Sequence, residues 1–411
     1  MNLSLDLVES STLALLLLLL GEVSRHYIGF LRRFAVPGPV IGGFLFALLV
    51  LALRQSGAVQ ISLNTTLQTP AMVAFFTTIG LGGSLASIRQ GGRLLAFYLV
   101  ACWSLAIMQN LVGIGVATML GVDPMLGIMA GAVSLEGGHG AAAAFGPTAE
   151  AMGSAGATAV AIASATFGLV AGGLLGGPVA SWLIDRHRVV IPSGAEAALA
   201  SGGMTVGEPD IVSAGGEEGD STGYKTLLPV AVVIGLIMVI GNTLGAWFSR
   251  TAGFSVPSYV GAMITAVIFR NMNDTFGWIR IRDSAVSLVS NITLGFFLTM
   301  AMMSLKLWEL ASLALPLVII LAVQVVCIVA FAVYVVFRML GRNYDAATMI
   351  AGFLGHGLGA TPNALANMDA LNSKFGVRSE RAFLIVPLAG AVLIDLVALP
   401  WIVWCMNWVA R

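Results

Sequence analysis

Residues 134–140 read Ser-Leu-Glu-Gly-Gly-His-Gly, and residues 352–362 read Gly-Phe-Leu-Gly-His-Gly-Leu-Gly-Ala-Thr-Pro. Both lie in segments, 124–150 and 346–370, that are apolar enough for membrane depth but too rich in glycine for a simple spanning helix. Irregular backbone at that depth is tolerated only where protein buries it or where it lines a watery cavity. We therefore predict two re-entrant hairpins with their tips at the two Gly-His-Gly sequences.

The rest of the chain has the composition of a membrane protein. Of 411 residues, 58% are hydrophobic and only 10% are charged, against about 25% charged in a typical soluble domain. The 20 basic and 20 acidic residues balance, which excludes nucleic acid as the main partner. The three cysteines lie far apart in apolar runs, a spacing that supports neither a disulfide framework nor a cysteine metal site.

Ten apolar stretches are about as long as a bilayer-spanning helix requires. They lie near residues 7–26, 36–53, 71–88, 94–120, 156–184, 227–248, 256–270, 284–305, 310–339 and 380–409. Together with the two hairpins they predict an all-α membrane protein with ten transmembrane helices.

The basic residues predict which way these helices face. With the N-terminus outside, sixteen of the 20 Lys and Arg residues fall on one side of the membrane. Cytoplasmic loops hold such an excess. We therefore expect a multi-pass protein with both termini on the periplasmic side.

The two halves of the chain resemble each other. A polar stretch at 186–226, predicted to be a flexible cytoplasmic linker, separates an N-terminal unit at 1–185 from a C-terminal unit at 227–411. Five spans in each half mean that the second copy is inverted, as in many secondary transporters. The matching pairs include 34–37 with 254–257, 75–76 with 296–297, 120–121 with 340–341, and 138–140 with 355–357.

The hairpin tips are the predicted binding site. A helix that starts at a tip presents free N–H groups to a carboxylate, and unwound carbonyls beside it suit a small cation such as sodium. Asp395 adds a carboxylate within the last span, and intramembrane acids are usually functional. The candidate residues are Glu136, Gly137, Gly138, His139, Gly140, Gly355, His356, Gly357, Gly359, Thr361, Asn363, Asn367, Asp395, Gln109 and Asn110.

Several of these candidates have an alternative structural role. The two histidines are ligands, proton carriers or hydrogen-bonded packing residues, and Gln109 and Asn110 either line the site or join helices. Thr361 stands where it could cap a helix. Glu136 either binds a cation, is protonated, or points to the aqueous mouth. Sodium ligands are expected among Gly137, Gly138, Thr361 and Asp395.

Motifs along essentially the whole chain resemble those of the bacterial sodium/glutamate symporter family. They are Val-Pro at 36–37, Phe-Phe-Thr-Thr-Ile-Gly at 75–80, Gly-Gly-His-Gly at 137–140, Ala-Thr-Phe-Gly-Leu-Val at 165–170, Lys-Leu-Trp-Glu-Leu-Ala-Ser-Leu-Ala-Leu-Pro at 306–316, Asn-Tyr-Asp-Ala-Ala at 343–347 and Gly-Leu-Gly-Ala-Thr-Pro at 357–362.

The resemblance implies a specific activity and assembly. It implies sodium-coupled uptake of L-glutamate, no cofactor besides sodium as the coupling ion, and a homodimer in the bacterial inner membrane. It also implies an elevator mechanism, in which a transport domain slides against a dimeric scaffold domain. Glu136 and His356 depart from the family pattern, which has a small hydroxyl residue and an aromatic residue at those positions, and both departures bear on substrate preference or cation stoichiometry.

Two other classes of function remain open from the sequence. One is a carrier that is driven by protons, or that transports another dicarboxylate or amino acid. The other is an ion channel, which would also use hairpins. An enzyme is disfavoured because the chain has no His-Glu-x-x-His zinc pair and no Gly-x-Ser-x-Gly nucleophile elbow.

Overall fold

The computed structural model describes residues 2–33, 36–57, 60–192, 223–252, 256–309 and 313–410. These residues are almost entirely helical. The exception is one short parallel pair of strands, β1 (Asn2–Ser4) and β2 (Gln60–Ser62). Residues 193–222, which make up most of the predicted linker at 186–226, lie outside the described residues.

The described residues of the first half contain nine helices, and a polar or glycine residue often marks their ends. They are α1 (Leu7–Tyr27), α2 (Gly29–Arg33), α3 (Gly38–Gln55), α4 (Gln68–Gly82), α5 (Leu85–Met119), α6 (Pro124–Met129), α7 (Ala132–Leu135), α8 (Gly138–Ala151) and α9 (Ala157–His187).

The described residues of the second half contain nine further α-helices. They are α10 (Tyr224–Ala252), α11 (Ser258–Phe276), α12 (Asp283–Met303), α13 (Ala314–Phe331), α14 (Phe337–Met339), α15 (Tyr344–Gly357), α16 (Thr361–Phe375), α17 (Glu380–Leu388) and α18 (Asp395–Val409). Two π-helical turns, Ala332–Val336 and Ala389–Leu393, join α13 to α14 and α17 to α18.

Seven helices in the described part of the chain are long and apolar enough to cross a membrane. They lie in α1, α3, α5, α9, α10, α12 and the run α13–α14. The remaining three predicted spans correspond to α4, which has only 15 residues, to α11, and to the interrupted run α17–α18. The described part of the chain is therefore that of a multi-pass, predominantly helical membrane protein.

Glycine and proline explain why two predicted spans, 71–88 and 380–409, differ from simple helices. The predicted span 71–88 ends early because α4 stops at Gly82, and α5 starts at Leu85. Within α5 the backbone kinks at Gly92, whose φ of 62° lies in the region that glycine favours. Pro387 lies just before the π turn that divides the last span, and proline removes a helical hydrogen bond.

Two pairs of residues at matching positions of the two halves occur at equivalent helix ends. Pro37 is the N-cap of α3 with φ −63° and ψ 139°, and Pro257 is the N-cap of α11 with φ −58° and ψ 144°. Gly121 and Gly341 both follow the end of a helix with positive φ. At these two pairs of positions, a helix therefore begins or ends at matched residues of the two halves.

The helices pack as two bundles. The first bundle contains α1, α3, α4, α10, α11 and α12, which contact one another extensively. The second bundle contains α5 to α9 and α13 to α18, including both predicted hairpins. Contacts between the bundles join mainly α12 to α8, α4 to the π turn at Ala389–Leu393, and α11 to α18. The functional question is therefore what lies at the boundary between them.

Candidate functional site

Both predicted hairpin segments are interrupted at their glycine-rich centres. In the first, α7 ends at Leu135 and α8 begins at Gly138. In the second, α15 ends at Gly357 and α16 begins at Thr361. Each segment therefore consists of helices that meet at a short non-helical tip.

The two tips touch each other. A Cβ atom added to Gly138 would lie 3.1 Å from the carbonyl oxygen of Gly359. Gly138 also has a φ of +61°, a conformation that a residue with a side chain rarely adopts. Glycine at position 138 thus permits both the turn and the close approach of the second tip.

A cavity of about 780 Å³ lies at these tips, between the two bundles. The second bundle supplies its wall through residues 136–141, residues 359–362 and Asp395. The first bundle supplies the opposite wall through α1, α4 and α12. A solute in this cavity would contact both bundles and both tips at once.

Eight of the predicted site residues line this cavity, and they include all four candidate sodium ligands. They are Glu136, Gly137, Gly138, His139, Gly140, Gly359, Thr361 and Asp395. His139 places Nε2 3.0 Å from the Thr166 hydroxyl oxygen, which holds the imidazole at the wall.

The other predicted polar residues of the second hairpin pack against neighbouring helices and are not among the residues that line the cavity. His356 Nε2 lies 2.8 Å from the Tyr98 hydroxyl oxygen in the buried interior. The Nδ2 atoms of Asn363 and Asn367 donate to the carbonyl oxygens of Leu169 and Gly172, at 2.7 and 2.9 Å. These three side chains fix the second hairpin to α5 and α9.

The predicted amides of α5 join helices in the same way. Gln109 Nε2 donates to the Gly357 carbonyl oxygen at 2.8 Å, and Asn110 Oδ1 accepts from the Ala132 backbone N–H at 3.1 Å. Gly355 packs against the backbone of Ala364, where an added Cβ would lie 2.5 Å from Cα. Of the alternatives open from the sequence, the structure gives these residues the packing role.

The helix that starts at the second tip lacks the cap that the sequence suggested. The N-cap of α16 is Ala360 rather than Thr361. Among the described residues, neither α8 nor α16 has a side-chain hydrogen bond at its N-cap. Because the first N–H groups of a helix have no intrahelical partner, the start of α8 presents several backbone donors. The start of α16 presents the Thr361 N–H, since Pro362 has no N–H and the Asn363 N–H bonds to the Ala360 carbonyl oxygen. Both tips present the positive end of a helix dipole.

Residues of the first bundle that sequence patterns did not identify complete the cavity. Phe75 and Phe76 of α4 and Asn291 of α12 line it, and so does Arg25, which forms a 2.9 Å ion pair with Glu22. Of these residues, only Phe75 and Phe76 belong to a sequence repeat, the Phe-Phe pair that recurs at 296–297. In the structure, the ring centroids of Phe75 and Phe297 lie 5.5 Å apart. The other residues are brought to the cavity by packing between distant helices.

Glu136 is the most unusual group at this site. Both of its side-chain oxygens are buried, and neither has a hydrogen-bond partner among the residues that the structure describes. Glu136 and Asp395 both belong to the residues that line the cavity. A buried carboxylate without a partner is costly, so this group requires a bound cation or a proton.

Comparison with known proteins gives a consistent result over nearly the whole chain. The family profile described as "Sodium/glutamate symporter" matches residues 3–377. A protein named sodium/glutamate symporter from Escherichia coli (strain K12) is 42% identical over 396 residues, which cover 96% of this chain and 95% of that protein. A protein of the same name from Haemophilus influenzae is 38% identical over 404 residues, covering 97% and 96%. These relatives are named as transporters.

Proposed function

Because the chain belongs to the sodium/glutamate symporter family, we propose that it is a secondary transporter that takes up L-glutamate together with sodium. The observation that carries this proposal is the cavity between the two bundles, where both hairpin tips and Asp395 meet. A site that contacts two separate bundles can be exposed to either side of the membrane as those bundles move.

The tips supply the chemistry for an anionic substrate. The carboxylates of glutamate would accept hydrogen bonds from the first-turn N–H groups of α8, and from the backbone N–H and the hydroxyl of Thr361 at the start of α16. Helix dipoles reinforce these bonds because both helices point their N-termini at the cavity.

Sodium would bind hard oxygen atoms at the same tips. The candidate ligands are the backbone carbonyls of Gly137 and Gly138, the Thr361 hydroxyl and the Asp395 carboxylate, all of which line the cavity. Bound sodium would hold the tips in the arrangement that glutamate requires. Coupling then follows because an ion shifts a conformational equilibrium only if it binds one state more tightly.

The packing supports an elevator mechanism. The second bundle, which carries both hairpins and Asp395, would move as the transport domain, and the first bundle would form the scaffold of a homodimer. In this arrangement the chain has ten spans in two inverted repeats, 1–185 and 227–411, with hairpins 124–150 and 346–370 entering from opposite sides. The matched N-caps at Pro37 and Pro257 support the repeat.

The cavity also suggests which state the structure represents. It extends from the tips to Glu22 and Arg25 at the end of α1, the end predicted to be cytoplasmic from the distribution of basic residues. We propose that this is an inward-facing state of a protein in the bacterial inner membrane, with periplasmic termini.

Uptake by proteoliposomes tests the proposed function. Purified protein is reconstituted, and accumulation of labelled L-glutamate is measured with an inward sodium gradient and with choline in place of sodium. The proposal predicts accumulation only with sodium. Equal accumulation with choline would contradict the coupling to sodium, and accumulation driven by a proton gradient alone would assign a proton-driven carrier. Continuous conductance in a planar bilayer would assign a channel.

A further inference from the structure

Arg25 is the one lysine or arginine among the described residues that line the cavity. The same lining residues include three acids, Glu22, Glu136 and Asp395. Because arginine keeps its charge at any physiological pH, it offers a fixed cation in a cavity with more acidic than basic residues. An anionic solute that passes through such a cavity is attracted to that cation.

The position of Arg25 can be located relative to the tips through contacts along α1. A Cβ added to Gly140 of the first tip would lie 3.7 Å from Leu294 Cδ1. A Cβ added to the adjacent Gly295 would lie 3.2 Å from Leu18 Cδ2, so Leu18 lies near the level of the first tip. Arg25 follows Leu18 by seven residues, which is two helical turns or about 10 Å. Arg25 therefore lies between the tips and the predicted cytoplasmic mouth of the cavity.

The ion pair with Glu22 leaves Arg25 able to bind a further anion. Its Nη2 atom lies 2.9 Å from Glu22 Oε2, and 43% of the Arg25 side chain is exposed. A guanidinium has five N–H donors, so one such contact leaves others for a second carboxylate. The other oxygen of Glu22 lies at the start of α3, since a Cβ added to Gly38 would overlap Oε1. Glu22 is thus placed to orient the guanidinium.

Arg25 also belongs to the bundle that does not carry the tips. It lies in α1 of the first bundle, whereas both tips and Asp395 belong to the second bundle. In the proposed elevator the second bundle carries the cargo past the first, so Arg25 would face the cargo only in the inward-facing state. A contact made in one state changes the affinity of that state alone.

We propose that Arg25 binds a carboxylate of the cargo at the cytoplasmic mouth of the cavity, and that it does so only in the inward-facing state. The inference rests on the proposed function in taking a carboxylate-bearing cargo and two bundles that move. Arg25 forms charge-assisted hydrogen bonds with the anion after it leaves the backbone donors of the tips. It thereby sets the affinity for cargo on the cytoplasmic side, while the tips set the affinity on the periplasmic side.

The test measures affinity from each side of the membrane separately. Right-side-out and inside-out vesicles are prepared from cells that express the full-length chain and lack other glutamate carriers. Uptake of labelled L-glutamate under an inward sodium gradient gives the half-saturating concentration at the periplasmic face in the first and at the cytoplasmic face in the second. The variants are Arg25→Gln, Glu22→Gln and a control, Arg280→Gln, which changes an exposed arginine between α11 and α12 that does not line the cavity.

The inference predicts an effect on one side only. Arg25→Gln raises the half-saturating concentration at the cytoplasmic face about fivefold to tenfold and leaves the periplasmic value unchanged. Glu22→Gln lowers the cytoplasmic value because it removes a negative charge beside the bound anion. Arg280→Gln keeps both wild-type values. An equal rise at both faces, or no rise at the cytoplasmic face, in Arg25→Gln would overturn the inference.

Glu22→Gln separates anion binding from a structural role of the ion pair. If the pair only stabilised the end of α1, both substitutions would break it and change the cytoplasmic value in the same direction, which would overturn the inference. If Arg25→Gln is not recovered as folded protein, Glu22→Gln decides alone, since an unchanged or raised cytoplasmic value contradicts anion binding. Failure of the proposed function is seen separately, as the absence of sodium-driven uptake by wild type in both kinds of vesicle, and it would overturn both proposals.

Discussion

The two hairpin tips share the sequence Gly-His-Gly, yet their histidines have different surroundings. His139 of the first tip lines the cavity beside Thr166. His356 of the second tip lies one layer behind the cavity wall, where its Nε2 is 2.8 Å from the Tyr98 hydroxyl and 3.6 Å from the Cys102 sulfur. The repeated motif opens α8 in the first hairpin but closes α15 in the second, so the two histidines lie on opposite sides of their tips and have different neighbours.

The difference extends to the rest of the two hairpins. At the first tip, Glu136 and His139 both line the cavity, although the carboxyl oxygens of Glu136 are themselves buried. The second tip contributes mainly backbone and the Thr361 hydroxyl, while Asn363 and Asn367 are bonded to α9. The first hairpin therefore brings side chains to the cavity wall, whereas the asparagines of the second hairpin hold it against α9.

The largest effect should come from a residue that touches both hairpins. A Cβ on Gly168 of α9 would overlap the Leu358 carbonyl oxygen at the second tip and lie 3.0 Å from the Leu135 side chain in the first hairpin. Gly168→Ala should reduce sodium-driven uptake about 100-fold, since a displacement of about 1 Å at a binding site costs that much. Uptake into proteoliposomes measures it.

The matched control for this change lies on the same helix. A Cβ on Gly177 would meet nothing within 4 Å, so Gly177→Ala should leave uptake at the wild-type level. Wild-type uptake by Gly168→Ala would show that the contact between α9 and the tips is not needed for transport.

Substitutions of the two histidines should affect different properties: the stability of the fold for His356 and transport for His139. His356→Leu leaves the buried Tyr98 hydroxyl without its partner, which should lower the free energy of unfolding by about 1–3 kcal/mol. Tyr98→Phe combined with His356→Leu should recover part of this loss because both polar groups are then removed. Denaturation by SDS from mixed micelles measures these differences.

His139→Leu should show the opposite pattern. The Thr166 hydroxyl keeps its bond to the Ile162 carbonyl oxygen, so stability should change little, whereas the substrate concentration for half-maximal uptake should rise. If His139→Leu destabilises the protein as much as His356→Leu does, the distinction between the two tips fails.

The smallest effect is expected from a single bond that holds the second hairpin. Asn367→Ala removes the donor to the Gly172 carbonyl oxygen and should lower the free energy of unfolding by about 0.6 kcal/mol, a typical value for a polar contact between membrane helices. The control is Thr243→Ala in α10, whose hydroxyl bonds within its own helix. A loss no larger than in this control would mean that Asn367 does not hold the hairpin.

The sequence predicted the tips because glycine is required there by backbone geometry alone. Gly138 has a positive φ and lies against the other tip. Glycine is strongly favoured at such a position, so this structural requirement is visible in the sequence itself. Asp395 was identified for a similar reason, since a carboxylate within an apolar run stands out in any sequence. These are features that do not depend on which distant helix packs nearby.

Other features depended on contacts that no local pattern records. The role of His356 is set by Tyr98, 258 positions away in sequence, and the opposite wall of the cavity comes from the first bundle. The last predicted span differed because Pro387 and the π turn after it divide one apolar stretch into pieces. Apolar composition predicts burial in the membrane but not the continuity of a helix.

The meeting of both tips in one binding cavity can be tested by substrate protection. Single cysteines replace Gly140 of the first tip, Ala360 of the second tip and Val190, which is 84% exposed at the end of α9, in a protein whose three cysteines have been replaced. Modification by a water-soluble thiol reagent is measured with and without L-glutamate and sodium. We predict that substrate and sodium together protect both tip positions and leave position 190 reactive. Protection of only one tip, or of neither, would contradict a shared site.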